Sequence, residues 1–154
     1  MAIILFDDDA RNTLLPLTYT RPVADLRIGI LTIAEKWAKY LDSDFSFHTQ
    51  PYLQAKFPLN IQNDNIFING AVCPDEDIVA AIQNLGNGRA LRYKDTLLAV
   101  RMSDNYASNF DPFGEYQFPM VYDKELVIIK HPEDIFKKND NNDTLNFLFA
   151  FCLI

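Results

Sequence analysis

The sequence predicts an α/β layered domain built on a mostly parallel central sheet. Short apolar runs rich in β-branched residues alternate along the chain with stretches whose apolar residues recur at helical spacing, and this alternation is typical of sheets covered by helices. The chain has 154 residues, of which 49% are hydrophobic. That is enough for one domain with its own apolar core, and it leaves little room for a second.

The first half of the chain carries the clearest elements. Ala2–Phe6 is a continuous apolar run, which predicts a buried first strand. The irregular segment Asp7–Gly29 is long for a connection in a compact domain, so it predicts a functional loop. An apolar stripe over Ile30–Leu41 predicts a helix, and the alternation within Asp44–His48 predicts a second strand.

The second half continues the alternation of strands and helices. The same patterns predict a strand over Asn65–Asn69, a helix over Asp75–Leu85, a hairpin of strands over Arg89–Tyr93 and Thr96–Met102, and a strand over Glu125–Lys130 before a short helix after Pro132. The polar and aromatic stretch Ser103–Tyr122 gives no clear element.

Composition excludes several classes of function. A formal net charge of −7 argues against nucleic acid or an anionic membrane surface as the main partner. Two distant cysteines, neither in a CxxC motif, argue against a disulfide framework or a zinc site and favour a cytoplasmic location. The N-terminus lacks the features of a signal peptide, and the most apolar segment, Leu145–Ile154, is too short to span a bilayer.

The loop after the first strand is the first candidate site, because ligands of layered α/β folds bind at the carboxyl ends of strands. Three carboxylates there could hold a divalent cation that bridges nucleotide phosphates: Asp7, Asp8 and Asp9. Three cations in the same loop could clamp phosphate oxygens: Arg11, Arg21 and Arg27. The residues alone leave open the alternative of a polar turn with scattered surface charges.

The stretch Leu14–Ile33, LLPLTYTRPVADLRIGILTI, narrows these possibilities. In its order of an N-terminal strand, a Leu-x-Pro-Leu-Thr segment, a proline-containing segment and a helix, the chain resembles the sugar-1-phosphate nucleotidyltransferases. Within that family it is most similar to the N-terminal domain of uridylyl- or thymidylyltransferase-type proteins of Bacteroides-like bacteria. The resemblance implies a Rossmann-like fold of the nucleotide-diphospho-sugar transferase type.

The resemblance also implies a reaction and its partners. A sugar 1-phosphate would attack the α-phosphorus of a nucleoside triphosphate, UTP or dTTP, and expel pyrophosphate with the help of Mg²⁺, in cell envelope biosynthesis. On this basis Arg11 and Arg21 are expected to contact the triphosphate, and Asp7, Asp8 and Asp9 the metal. Arg27, Asn69 and Gly70 are expected to bind the sugar phosphate, and a homo-oligomer is possible in such a family.

Two alternatives stay open. The glycine loop, a lysine and a metal aspartate of the family are replaced here by Asp7–Asn12, Pro22–Ala24 and Ala71, which favours a non-catalytic domain that binds sugar nucleotides or contacts another subunit. A strand followed by Asp7 also superficially resembles the start of the haloacid dehalogenases, in which such an aspartate accepts phosphate.

The end of the chain departs from the family. Residues 1–140 are expected to form the nucleotidyltransferase-like domain, and 141–154 an atypical apolar tail, since LNFLFAFCLI does not resemble the family continuation and no hexapeptide repeat of a β-helix follows. An exposed apolar tail promotes association, so we expect a truncated domain.

Overall fold

A computed structural model describes residues 2–116 and 119–135. Its strands are β1 (Ala2–Phe6), β2 (Arg27–Ile28), β3 (Leu31–Thr32), β4 (Phe45–His48), β5 (Asp64–Asn69), β6 (Val72–Cys73), β7 (Ala90–Tyr93), β8 (Thr96–Ser103), β9 (Met120–Val121) and β10 (Val127–Ile128). Its helices are α1 (Ala10–Thr13), α2 (Ile33–Leu41), α3 (Pro51–Gln54), α4 (Glu76–Gln83) and α5 (Asp104–Ala107), with a 3₁₀ turn over Val23–Asp25 and a helical turn over 132–135.

The main sheet has six strands in the order β4, β1, β5, β8, β7 and β9. β1 is parallel to both of its neighbours, and β8 is antiparallel to β5 and β7, so β8 is the strand that runs against the rest. The predicted mostly parallel α/β fold is thereby confirmed. In register, Phe6 at the end of β1 lies beside His48 of β4 and Asn69 of β5. The carboxyl ends of these three strands therefore form one edge.

Both faces of the sheet are covered, which explains why the first strand is apolar without interruption. Ile3 and Leu5 belong to the core cluster that includes buried residues of α2 and α4, whereas Ile4 and Phe6 belong to a second cluster on the opposite face. Trp37 of α2 is fully buried in the first cluster and donates a hydrogen bond from Nε1 to the Val72 carbonyl at 2.9 Å. This bond ties α2 to β6.

Helix α2 starts three residues later than the apolar stripe alone predicts, because capping determines where it begins. Thr32 accepts a hydrogen bond from the Glu35 amide at 3.1 Å, and the Glu35 carboxylate accepts one from the Thr32 amide at 3.3 Å. This reciprocal pair is a capping box. The residues just before it pair with β2 in a small antiparallel hairpin instead.

The remaining predicted elements are found with small differences in their ends. The strand of Asn65–Asn69 begins one residue earlier, and the hairpin of β7 and β8 turns at Lys94, which has a φ of 52°. The stretch Ser103–Tyr122, for which the sequence predicts no element, contains α5 and β9. The expected apolar tail, 141–154, lies outside the described residues. Within the described ranges, no helix is long and apolar enough to cross a membrane.

Candidate functional site

The carboxyl ends of β1 and β5 are joined by a side-chain hydrogen bond. Asn69 is fully buried and donates from Nδ2 to the Asp8 carboxylate at 2.8 Å and to the Leu97 carbonyl at 3.0 Å. Its Oδ1 accepts from the Ala71 amide at 2.9 Å. Two of the residues that the sequence singles out, Asp8 and Asn69, are thus in direct contact, although they are far apart in the chain.

Gly70, the residue after β5, occupies a site with no room for a side chain. Its amide donates to the Phe6 carbonyl at 2.9 Å. A Cβ atom at this position would lie 3.1 Å from the Cβ and amide nitrogen of Ala24 and from the Phe6 carbonyl oxygen. Glycine is needed here because the 3₁₀ turn over Val23–Asp25 packs directly against the ends of β1 and β5.

Asp7 is held within the protein. Its Oδ1 accepts a hydrogen bond from the Val23 amide at 2.9 Å and its Oδ2 accepts one from the Thr49 hydroxyl at 2.6 Å. Burial raises the pKa of this carboxyl, an effect that the hydrogen bonds from Thr49 and Val23 partly oppose. Asp7 therefore fixes the start of the loop between β1 and β2, and both of its oxygens are engaged by protein donors.

Asp8 and Asp9 follow at the edge of an open cleft of about 380 Å³. Asp8 accepts from the Ala10 amide at 2.9 Å through Oδ1, which directs the chain into α1, while Asp9 is exposed. The cleft also contains a third carboxylate, Asp95, from the turn between β7 and β8. Three of the residues that line the cleft are therefore acidic.

Three cationic or basic side chains line the same cleft: Arg92, Lys130 and His131. Lys130 and His131 are exposed and follow β10, and their amides donate to the Asp134 carboxylate at 3.0 and 3.1 Å. The Thr13 hydroxyl donates to the Lys130 carbonyl and so connects this segment to α1. Anionic groups of a ligand in the cleft would meet the positive charge of these side chains.

The sequence predicts no ligand-binding role for these three residues. Arg92 lies in a hairpin strand, and Lys130 and His131 lie more than a hundred positions after the acidic triplet, so no local spacing connects them. The one available indication was that Lys130 stands at the end of a predicted strand, where ligands of layered α/β folds bind.

The three arginines of the loop lie outside the lining of the cleft. Arg11 donates to the Tyr52 hydroxyl, and its guanidinium carbon is 5.7 Å from the centre of that ring. The Tyr52 hydroxyl donates in turn to the Tyr19 carbonyl at 2.7 Å. Arg11 therefore connects the loop to α3.

Arg21 and Arg27 are both exposed and lie near Asp25. Burial raises the pKa of the Asp25 carboxyl, and the positive charges of Arg21 and Arg27 act in the opposite direction. Arg27 also donates to the Ile30 carbonyl across the β2–β3 turn. Of the expected site residues, Asp8 and Asp9 thus line the cleft, and the three arginines lie elsewhere on the loop. Asp7, Asn69 and Gly70 lie outside the lining, at the ends of β1 and β5.

The three carboxylates of the loop differ in how well they suit a magnesium ion. Within 2–116 and 119–135, no group of three or more His, Cys, Asp or Glu side chains is arranged to hold a metal. Magnesium usually keeps several waters and takes only one or two carboxylates together with substrate phosphates. Asp8 and Asp9 line the cleft and so fit that requirement better than Asp7, which is buried and outside the lining. Each Asp8 oxygen also accepts one protein hydrogen bond, from the Ala10 amide or the Asn69 side chain, and keeps a second lone pair for a metal.

Comparison with known proteins identifies the class of fold and then the family. The chain is similar to a crystal structure from Bacillus anthracis, provisionally described as a glucose-1-phosphate thymidylyltransferase in complex with sucrose. The TM-score is 0.51 at 11% identity, over 93% of this chain and 95% of that one. The profile of the sugar nucleotidyl transferases matches residues 3–147, and the chain belongs to that family. A search of functionally curated proteins found no match.

Proposed function

We propose that this chain transfers a nucleotidyl group from UTP or dTTP to a sugar 1-phosphate and releases pyrophosphate. The observation that carries the proposal is the cleft, in which Asp8 and Asp9 share one opening with Arg92 and Lys130. Membership of the sugar nucleotidyl transferase family supports the class of reaction. Both substrates are polyanions, so a binding site for them needs clustered positive charge in a chain whose net charge is −7.

The reaction requires positioning and charge neutralisation more than covalent participation by the protein. An oxygen of the sugar phosphate forms a bond to the α-phosphorus of the triphosphate, the bond from that phosphorus to the bridging oxygen breaks, and pyrophosphate leaves. In this proposal Arg92 and Lys130 hold the phosphate oxygens and stabilise the negative charge that accumulates on them. They come from segments far apart in sequence.

Asp8 and Asp9 are the residues that would hold Mg²⁺. When bound, the ion would neutralise charge on the nucleotide phosphates. Asn69 would position Asp8, since its Nδ2 donates a hydrogen bond at 2.8 Å that orients the Asp8 carboxylate. Asp7 would support the loop rather than bind the metal.

The roles expected for the three loop arginines stay predictions. Arg11 and Arg21 are proposed to contact the triphosphate, and Arg27 the sugar phosphate, from a part of the loop outside the cleft lining. For Arg11 this would require the side chain to exchange its contact with Tyr52 for one with phosphate.

The direct test measures pyrophosphate release with UTP or dTTP, Mg²⁺ and glucose 1-phosphate or N-acetylglucosamine 1-phosphate. We expect release with at least one pair, and Arg92→Ala and Lys130→Ala should each lower kcat/KM by about 10- to 100-fold. Lys124→Ala is the matched control. Lys124 is equally cationic but does not line the cleft, and its Nζ forms an exposed ion pair with the Asp77 carboxylate at 3.2 Å. No release with any pair would overturn the proposal.

A non-catalytic binding role is the second candidate, and one observation favours it. The Ala10 amide, which follows the first strand where the family has a glycine loop, is occupied by the Asp8 carboxylate at 2.9 Å. Calorimetric binding of UTP or a sugar nucleotide without pyrophosphate release would select this candidate. The dehalogenase alternative has no support, since a phosphate-accepting aspartate must be accessible and Asp7 is only 8% exposed.

A further inference from the structure

We propose that Phe113 is a substrate-binding residue of the cleft, and that the sugar ring of the sugar phosphate packs against its aromatic side chain. This inference rests on the proposed function, because it concerns the sugar half of the same substrate. Phe113 lies in the aromatic-rich segment for which no element is predicted; from the sequence, a sugar or base could stack there, but an interface or a small satellite core is the favoured interpretation.

Two phenylalanines of one short segment have opposite environments. Phe110 is 7% exposed and stacks on Phe67 with ring centres 4.0 Å apart and an interplanar angle of 15°. Phe113, three residues later, is 64% exposed and lines the cleft. The first phenylalanine anchors the segment in the core, and the second leaves an apolar ring in contact with water.

The exposed position of Phe113 is fixed by the local backbone. Its amide donates to the Asp111 carboxylate at 2.9 Å, and the Gly114 amide donates to the Asp111 carbonyl at 3.1 Å. The Tyr116 hydroxyl donates to the same carbonyl at 3.0 Å. A Cβ atom on Gly114 would lie 3.2 Å from the Asp111 carbonyl oxygen, so the turn is also tightly packed. Such a turn holds the backbone at Phe113 in place before a ligand arrives, which lowers the entropic cost of ordering this segment on binding.

The chemistry of the cleft matches a ligand with one anionic and one partly apolar part. Arg92 and Lys130 suit a phosphate group, whereas Phe113, Pro112 and Leu97 provide apolar surface in the same opening. A pyranose ring exposes C–H groups on its faces and hydroxyls at its edge. The C–H face can pack on an aromatic ring, while hydroxyls can bond to the carboxylate of Asp95 or the hydroxyl of Thr96.

The test compares two ligands that differ only in the sugar: glucose 1-phosphate and inorganic phosphate, with dissociation constants measured by calorimetry. We expect Phe113→Ala to weaken binding of glucose 1-phosphate about tenfold and to leave inorganic phosphate unchanged. Phe113→Trp, which keeps an aromatic surface, should restore the affinity to within about twofold. Tyr106→Ala is the matched control, since Tyr106 is 70% exposed in the neighbouring helix but does not line the cleft.

The possible outcomes separate this inference from the proposed function. If the wild-type protein binds glucose 1-phosphate and Phe113→Ala binds it equally well, the inference is overturned while the proposed function stands. Equal weakening of both ligands would overturn it as well, because the side chain would then act on the phosphate site. If the wild-type protein binds neither glucose 1-phosphate nor N-acetylglucosamine 1-phosphate, the inference is overturned, and pyrophosphate release decides the proposed function separately.

Discussion

The Asn69 side-chain amide donates to the Asp8 carboxylate at 2.8 Å and thereby joins the ends of two parallel strands next to the cleft. The same amide also donates to the Leu97 carbonyl of β8, so one buried side chain connects three adjacent strands of the sheet. The edge that carries the candidate site is therefore held by side chains as well as by the backbone ladder.

Asn69→Ala should destabilise the protein by about 2–4 kcal/mol, because it leaves the buried Leu97 carbonyl and Ala71 amide without these partners. Urea unfolding measures the loss. Asn63→Ala, at an exposed position just before β5, is the control and should change the free energy of unfolding by less than about 0.5 kcal/mol. Equal effects of the two substitutions would contradict a structural role for Asn69.

Gly70→Ala should cost about 1–3 kcal/mol, since a new Cβ would stand 3.1 Å from backbone atoms of Ala24 and Phe6 that cannot easily move. Gly86→Ala is a matched control, because a Cβ there would meet only the Arg89 Cγ, at 3.5 Å. Thermal unfolding of both variants should show a lowered Tm for Gly70→Ala alone. A normal Tm for Gly70→Ala would mean that the 3₁₀ turn does not pack as closely as described.

The buried carboxyl of Asp7 should make stability depend on pH. Burial raises its pKa in the folded state above the unfolded value, so its contribution to stability is complete below the ordinary aspartate range and declines as pH rises through the raised pKa. The side chain in Asp7→Asn does not ionise, so the stability of this variant relative to wild type should increase as pH rises from the ordinary aspartate range through the raised pKa. Urea unfolding at several pH values measures this.

Asp64→Asn should show the opposite pH dependence. Hydrogen bonds from Arg101, at 2.7 and 3.0 Å, lower the pKa of the Asp64 carboxyl. The ion pair is partly exposed and should contribute about 0.5–1 kcal/mol at neutral pH, a contribution that is lost as pH falls through the lowered pKa. If the stability curves of both aspartate variants stay parallel to that of wild type, the assignment of the two environments is wrong.

Tyr122→Phe should stabilise the protein by up to about 1–2 kcal/mol. The Tyr122 hydroxyl is buried and finds no hydrogen-bond partner in the part of the chain that the structure describes, so removing it relieves a desolvation cost. Burial also raises the pKa of this hydroxyl to about 12, which keeps it neutral in the assay. Tyr106→Phe, at a position exposed to water, should leave the midpoint of guanidinium unfolding unchanged.

Arg11→Ala separates two roles for this side chain. Loss of the hydrogen bond to Tyr52 and of the contact with its ring should reduce stability by about 1 kcal/mol. If Arg11 also contacts the triphosphate, the KM for UTP or dTTP will rise by about tenfold or more. Tyr52→Phe is the comparison, because it removes the hydroxyl contact and keeps the guanidinium. A raised KM in both variants would show that the loop, and not the charge, is responsible.

Much of the fold could be predicted from the sequence because residues on the buried faces of strands and helices are apolar at regular spacing. Ala2–Phe6 is apolar without interruption since both faces of β1 are covered. In α2 the apolar stripe accounts for the buried Ile33, Ala34 and Trp37, but not for Lys36, which is also buried. The apolar stripe does not predict the first residue of α2, because the helix begins where Thr32 caps it. The segment with α5 and β9 was missed because its residues are mixed and its elements are short.

The candidate site was predictable only where it follows a strand. The acidic triplet after β1 and the Asn69–Gly70 pair at the end of β5 stand out in the sequence, and the structure brings Asp8 and Asn69 together. The sequence does not distinguish Asp7, which turns inward, from Asp9, which is exposed. That difference depends on Val23 and Thr49, which supply the two donors from distant positions.

The sequence by itself determined the layered α/β class, the positions of the main strands and the acidic loop at the end of β1. These follow from local periodicity and from the rule that strand ends carry binding loops. Only the tertiary structure decided which side chains share the cleft. Arg92 lines it because of the strand order, and Lys130 because the Thr13 hydroxyl bonds to the segment after β10. Such long-range neighbours are set by which strands pair, and local patterns do not record that choice.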